Sequence, residues 1–294
     1  MAGLEPGATV LVTGASGRIG VRVLGALDAR GLRTRALIHR RPAPGAAEQI
    51  RGNLRDPDSL RGAAEGADAV LHMAATTHAR RQGRYREVNR DGTARLVEAA
   101  RDAGALRFVH VSTRAIAPEG GAYGRSKLDA EGLVEASGLD HVIVRLPEVV
   151  GTGGTEGVDG VIDRARRGAP VPVVGDGGIK LCPIHVDDAV EAIANALIAP
   201  VAGRTFTLAG ECVSEREFAR ACISAAGSGS RVVRIPVAAL GAASFLARFA
   251  PIPLYPDQLA RHRAPKPEAS SDAGPDLGFS PLPLHAILDR VLGG

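Results

Sequence analysis

Tyr123-Gly-Arg-Ser-Lys127 places a phenol and an amine four residues apart, the spacing that stacks two side chains on one face of a helix. An unperturbed phenol titrates near pH ~10. A neighbouring ammonium favours the phenolate and lowers that value, which makes Tyr123 a candidate general acid or base. The same five residues also describe an ordinary helix start with two exposed polar side chains. Ten residues earlier, a run of strand-type residues ends in Ser112-Thr113. A hydroxyl at the carboxyl end of a strand, facing the phenol, can hold a substrate oxygen. Thr113 is assigned that role; a plain strand end is the alternative for both hydroxyls.

A second chemical element stands at residues 8–20, ATVLVTGASGRIG. Strand-type residues Thr9 to Thr13 run into a loop with Gly14, Gly17 and Gly20, and a helical pattern follows (Val21, Val23, Leu24, Leu27). The first turn of such a helix points unpaired N–H groups and partial positive charge at whatever lies above the loop, and a pyrophosphate suits that place. The glycines serve a sharp turn, close approach of backbone to phosphate, and close packing of helix on strand. The spacing is GxxGxxG rather than GxGxxG, so strand before and helix after carry the reading of a dinucleotide site. A positively charged nicotinamide beside Tyr123 would add to the pull on its proton, and Lys127 would reach the nicotinamide ribose.

These pieces need a scaffold, and the chain alternates strand and helix patterns through its first half. Strands are expected at Thr34–Ile38, 49–54, Ala69–His72, Arg107–Val111 and His141–Leu146. Helices are expected after Asp56-Pro57, over 85–103 and over 123–137. That alternation predicts an α/β fold, a Rossmann doubly wound parallel sheet with helices on both faces, its ligand lying across the carboxyl ends of the strands. The second half is less regular. Short strands are expected at Val171–Val174 and Thr205–Leu208, and helices at Val186–Leu197, 214–226 and Leu284–Leu292. Ser214 and Glu217 form a capping box for the second of these. Residues 265–283 are expected to wrap the surface.

Composition narrows the function classes. Aromatics are 3% of the 294 residues and Trp is absent, so stacking platforms for single-stranded nucleic acid have little material. The 36 basic and 32 acidic side chains are interspersed, which reads as a mixed solvated surface rather than a nucleic-acid face. Cys182, Cys212 and Cys222 are too few and scattered for a zinc site or a disulfide framework, and small buried or half-buried thiols are expected. No cleavable apolar leader precedes the first strand, so a cytoplasmic location is the expectation. The apolar stretch 237–254 is interrupted by Arg248 and two prolines and is read as a buried or substrate-covering helix rather than a membrane span.

In order along the chain stand TGASGRIG (13–20), GNLRDPDSL (52–60), VLHMAA (70–75), VNRDGT (88–93), FVHVST (108–113), YGRSK (123–127), VRLPEVVG (144–151), IHVDDAVEAI (184–193) and DLGFSPLPL (276–284). This set resembles the extended short-chain dehydrogenase/reductase family, which includes sugar-nucleotide epimerases and dehydratases. The resemblance implies a Rossmann domain over 1–150, with a returning segment near 181–200. It also implies a smaller, discontinuous substrate domain from 151–180 and 201–294. It implies that Thr113, Tyr123 and Lys127 are catalytic, and that Asn89 is a structural or proton-relay residue. The cofactor-contacting set it implies is Gly14, Ser16, Gly17, Arg18 and Ile19 from the glycine loop, Asn53 and Leu54, Ala74, Ala75 and Thr76, then Ser112, Lys127 and Pro147. Arg40 and Arg41 join that set for a separate reason. An NAD site usually carries an acidic residue after the second strand, whereas this chain has His39-Arg40-Arg41, guanidinium forks suited to a 2′-phosphate. NADP is therefore expected over NAD.

Several positions depart from the family pattern. Arg114-Ala115 replace the Asp-Glu pair of the dehydratase branch, which removes the acid and base of sugar 4,6-dehydration. Glu148 replaces a usual Asn and would repel a diphosphate, and Leu181 replaces a frequent arginine. The short loop between Thr113 and Tyr123, with LYPDQL (254–259), also resembles the atypical branch related to a respiratory complex I accessory subunit, some of whose members bind NADP without known catalysis. His185, Asp187 and Asp188 are read as bracing and capping residues rather than metal ligands. The expectation is an NADP-dependent oxidoreductase acting on a carbonyl or secondary alcohol of a small, fairly apolar metabolite. The alternatives are a sugar-nucleotide epimerase and a non-catalytic NADP-binding protein. A homodimer through the helices at 85–103 and 123–137 is a further expectation.

Overall fold

Buried β-branched and aliphatic runs build the centre of the molecule, a seven-stranded sheet. Its strands are β1 (Thr9–Thr13), β2 (Arg33–Ile38), β3 (Glu48–Arg51), β4 (Ala69–His72), β5 (Arg107–Thr113), β6 (Asp140–Leu146) and β11 (Arg204–Thr207). The structure is a computed structural model that describes residues 3–239, 257, 260, 261 and 264–293. The strand order is β3-β2-β1-β4-β5-β6-β11, and every adjacent pair is parallel. Order reverses between β1 and β4, so the crevice at their carboxyl ends is the natural ligand position of an open parallel sheet.

Helices cover both faces. One face packs α1 (Arg18–Asp28) and α7 (Val186–Ile198) on Val10, Val12, Val109, Val142 and Val144. The other packs α2 (Pro57–Ala64) and α4 (Asp91–Asp102) on Leu11, Val70, Phe108 and Ile143. α4 continues from α3 (Gly83–Tyr85) through a π-helical turn at Arg86–Arg90. α5 (Gly121–Glu135), two residues earlier than the helix expected at 123–137, carries Tyr123 and Lys127.

A smaller core lies beside the sheet. α6 (Gly157–Arg166), β8 (Val171–Val174), α8 (Glu215–Ala225) and the helix Leu284–Leu292 close around Val150, Ile162, Val173, Phe218 and Ile287. The capping box of Ser214 and Glu217 is present at the start of α8. The sequence boundary at 201 puts residues 204–207 in this smaller unit. In the structure that strand pairs with β6, Arg204 opposite Val142, and completes the large sheet. The helix Ala273–Leu277, inside the segment expected to wrap the surface, buries Ala273 and Leu277 in the large core.

The cysteines correct the sequence reading. Cys182 and Cys212 form a disulfide, and Cys222 is a buried free thiol. β9 (Lys180–Leu181) pairs antiparallel with β12 (Val213–Ser214), Leu181 opposite Val213, which sets the next residues, Cys182 and Cys212, across from each other with Cα atoms 4.1 Å apart. A non-local strand pairing of this kind leaves no mark in cysteine spacing. Among the described residues no helix is long and apolar enough to cross a membrane. Most of the stretch 237–254, and most of 254–259, lies outside the described residues.

Candidate active site

The nucleotide end starts from β1. Gly14 has φ +77°, and a Cβ there would stand 2.8 Å from Ala74 N and from Met73 C, so the glycine loop and the loop after β4 touch through bare backbone. Gly17 caps α1 in extended conformation with no side-chain cap, which leaves the first N–H groups of the helix free for a ligand. Ser16 and Ile19 are half-buried in the same loop, and Ile19 packs on the core. Arg18 is exposed and reaches the smaller unit: its Nη1 lies where a Cβ on Gly154 would sit. His39, Arg40 and Arg41 are all exposed beyond the carboxyl end of β2. Asn53 accepts a hydrogen bond from Arg55 N (3.0 Å), so its carbonyl serves a local turn, and Leu54 is a core residue.

Ala74, Ala75 and Thr76 form the half-buried loop after β4. The π-helical turn directs Asn89 inward, where Oδ1 accepts from Thr76 N (2.7 Å) and Nδ2 donates to Thr76 O and Ser126 Oγ (both 3.0 Å). Asn89 thus holds that loop against α5. Beneath it runs a buried chain that sequence reasoning missed. Ala74 N donates to Thr13 Oγ1 (3.2 Å), Thr13 Oγ1 meets His72 Nδ1 (2.7 Å), His72 Nε2 meets Thr93 Oγ1 (2.9 Å), and Thr93 donates to Asn89 O (2.5 Å). Donors and acceptors close only if His72 is neutral with its proton on Nε2. Burial, helped by the Lys127 charge, pulls this imidazole down to about 3.

At the carboxyl end of β5, Thr113 and Tyr123 come together. The Tyr123 ring is almost fully buried, and the Thr113 side chain favours the ionised form of its hydroxyl. Thr113 Oγ1 also accepts from Ala115 N (3.1 Å), fixing the rotamer. Ser112 Oγ, beside it, is buried without a partner among the described residues, and Pro147 is half-buried just after β6. Lys127 lies one turn further along α5, and its Nζ donates to His110 Nε2 (3.0 Å) and Val111 O (2.9 Å). Burial draws this ammonium down to about 8, while Glu131 pulls the other way. Glu131 is itself paired with Arg145 (2.6 Å).

The electrostatics of Tyr123 differ from the sequence expectation. Burial raises its phenol above the ordinary value, and the charge that opposes this is Arg261, with the Thr113 side chain helping and Asp257 working against it. Glu148 also differs. Its Oε1 binds Lys266 (2.6 Å) and its Oε2 accepts from Cys182 N (3.2 Å), so the carboxylate expected to repel a diphosphate is neutralised in place. Arg114 turns its Nε and Nη2 to Pro267 O (3.2 and 2.8 Å). His185 caps α7 by accepting from Asp187 N, while Asp188 and Asp187 tie that helix to Leu282 and Arg290. Among the described residues no group of three His, Cys, Asp or Glu side chains is placed to hold a metal ion.

The residues present fit a dinucleotide: uncapped helix N–H groups behind a glycine turn, and at the end of β5 the Ser112 hydroxyl, without a partner among the described residues. The fold and the family it matches make this an NAD(P)-dependent enzyme of the extended short-chain dehydrogenase type. A model of the NAD dependent epimerase/dehydratase family matches residues 10–209, and the chain belongs to that family. It is similar to the ceramide reductase of Caulobacter vibrioides, 32% identical over 77% of this chain and 73% of that protein. It is also similar to the 4-hydroxy-2-methyl-3-oxo-4-farnesyl-3,4-dihydroquinoline-1-oxide ketoreductase of Stigmatella aurantiaca, 32% identical over 80% of this chain and 78% of that one. Among solved structures, MoeE5 in complex with UDP-glucuronic acid and NAD superposes with a TM-score of 0.81 at 25% identity, covering 97% of this chain and 98% of its own.

Proposed function

We propose that this chain is an NADP-dependent reductase that delivers hydride to the carbonyl of a small, largely apolar metabolite, with Tyr123 as the proton donor. The observation that carries the reading is the buried Tyr123 phenol on α5, with Lys127 one turn along the same helix and the Thr113 hydroxyl acting on it from the carboxyl end of β5. When bound, the nicotinamide cofactor supplies the hydride. Thr113 holds the substrate oxygen, and Tyr123 gives that oxygen its proton, so carbonyl, hydride and proton balance to a secondary alcohol. Burial keeps the phenol protonated at neutral pH, which suits reduction. Two of the three Lys127 N–H groups are committed to His110 and Val111, leaving one for a ribose hydroxyl. Arg40 and Arg41, with Arg18, supply the forks for a 2′-phosphate.

The apolar substrate class is supported by the two reductase relatives, one named for ceramide and the other for a farnesyl-bearing ketone. An epimerase reading draws on MoeE5, whose structure holds UDP-glucuronic acid with NAD. Following NADPH absorbance with a panel of aliphatic ketones, β-keto esters and sugar nucleotides separates them. Net NADPH consumption with an apolar ketone is expected, falling ~10²–10⁴-fold in Tyr123→Phe. Interconversion of isomers without net consumption would replace the reductase with an epimerase. Undiminished turnover in Tyr123→Phe would remove the proposed mechanism.

A further inference from the structure

We infer that Arg261, brought in from the C-terminal region, is a positioning residue for the Tyr123 phenol: its guanidinium covers the ring while Asp257 holds it there. The inference rests on the reading of Tyr123 as proton donor. The guanidinium carbon lies 3.8 Å from the ring centroid, inside the range where a cation is attracted to an aromatic face. Arg261 Nη2 donates to Asp257 Oδ2 (2.8 Å) and to Thr77 O (2.9 Å). Asp257 Oδ1 accepts from the Tyr85 hydroxyl (2.9 Å), which accepts from Ala79 N (2.8 Å). The Tyr85 ring meets Tyr123 edge-on, with centroids 5.9 Å apart. The Tyr123 ring is thus boxed by an aromatic edge and a cation, and the cation is anchored to a carboxylate whose side chain is 1% exposed.

The backbone is shaped to receive this segment. Asp257 and Arg261 stand one helical turn apart, with Arg261 N donating to Asp257 O (3.0 Å). That turn lands on Gly121, two residues before Tyr123. Gly121 has φ +72°, and a Cβ there would come within 2.9 Å of Asp257 Cβ and 3.4 Å of Ala260 Cβ. Glycine at the start of α5 therefore allows the turn to sit directly on the helix that carries the phenol.

Three groups act on the phenol's proton, Thr113 from β5 and Arg261 and Asp257 from the C-terminal turn, and the Tyr85 ring of α3 packs against it. Lys127, on the same helix, is turned to His110 and Val111. His78, on the loop after β4, feels both charges of the Asp257–Arg261 pair. Arg261 and Asp257 have opposite signs, so a charge role and a packing role predict different results. Removing Arg261 leaves the carboxylate alone beside the phenol. Neutralising Asp257 leaves the cation alone.

The chain has three tyrosines, Tyr85, Tyr123 and Tyr255, and no Trp. Incorporating 3-fluorotyrosine into the full chain gives three fluorine resonances and brings each phenol's titration to lower, accessible pH. The Tyr123 signal is assigned by its loss in Tyr123→Phe. Without cofactor or substrate, Arg261→Gln should move its midpoint up by about one pH unit, Asp257→Asn should move it down by roughly half a unit, and Arg261→Lys should restore most of the wild-type value. Unmoved midpoints, or shifts of the same sign in Arg261→Gln and Asp257→Asn, overturn the inference. If Arg261→Gln does not fold, Asp257→Asn decides alone: a midpoint that moves down supports the inference, and one that stays or rises overturns it. The measurement reads the phenol alone, so its failure leaves the reductase proposal standing, and failure of the ketone assay leaves this result intact.

Discussion

At the glycine-loop end of the cleft, proposed to hold the nucleotide, the groups facing outward are backbone N–H groups and the exposed guanidiniums of Arg18, Arg40 and Arg41, whereas at the end proposed for catalysis Tyr123 and Lys127 are 8% and 3% exposed. The first end relies on backbone shape and on charges that ions can screen, with a Debye length of about 8 Å at physiological salt. The second relies on side chains fixed by direct bonds in a low-dielectric interior, where neighbours move a proton by whole pH units. Recognition of phosphate should therefore depend on how many charges are present and on salt. Proton transfer should depend on which atom touches which.

The largest expected effect tests the claim that backbone shape rules the nucleotide end. Gly14→Ala puts a methyl 2.8 Å from Ala74 N in a left-handed conformation, which costs about 1–3 kcal/mol in strain before the clash is counted. Nucleotide affinity, read by titration calorimetry, should fall roughly a hundredfold or more, and retained affinity would show that the two loops yield. Next in size is the double replacement Arg40→Ala with Arg41→Ala. NADPH affinity should fall on the order of tenfold or more, consistent with lost charge-assisted hydrogen bonds. NADH affinity should hardly change, and the gap should narrow as salt is raised. Equal losses for both cofactors would break the assignment of these arginines to the 2′-phosphate.

The smallest effect probes the buried end. Lys127 gives up its proton near pH 8 in the folded chain but only near 10.5 when unfolded. Between those values the unfolded state binds more protons, so stability rises with pH; below pH 8 both states are protonated and the term is flat. Measured against Lys127→Met, which has nothing there to titrate, the wild type should gain on the order of 1 kcal/mol between pH 8 and pH 9. Denaturant curves at pH 7, 8 and 9 check this, and a constant difference between the two proteins would mean the amine is better solvated than its burial implies.

What could be read from the sequence was local. The strand, glycine loop and helix at 8–20 are contiguous, and Tyr123 and Lys127 share a helix face by spacing alone, so both could be found without knowing the fold. The alternating pattern likewise carried the parallel sheet through β6. What escaped reading joins distant segments. His110 emerges as the partner of Lys127 only once β5 lies under α5. Arg261, Asp257 and Tyr85 belong to segments whose meeting no periodicity signals. The π-helical turn that points Asn89 inward sits within an unremarkable VNRDGT run. Chain order also misled at β11, because the strand follows the glycine-rich loop and α6 yet returns to the sheet.

That return has a consequence for how the chain is made. During synthesis β6 leaves the ribosome well before Arg204–Thr207, the segment that must cover its outer edge. Its unpaired N–H and C=O groups stay available to any passing strand in the meantime. A fragment cut at residue 150 would carry that raw border permanently, so it should self-associate through the edge of β6 that Arg204–Thr207 covers in the longer chain.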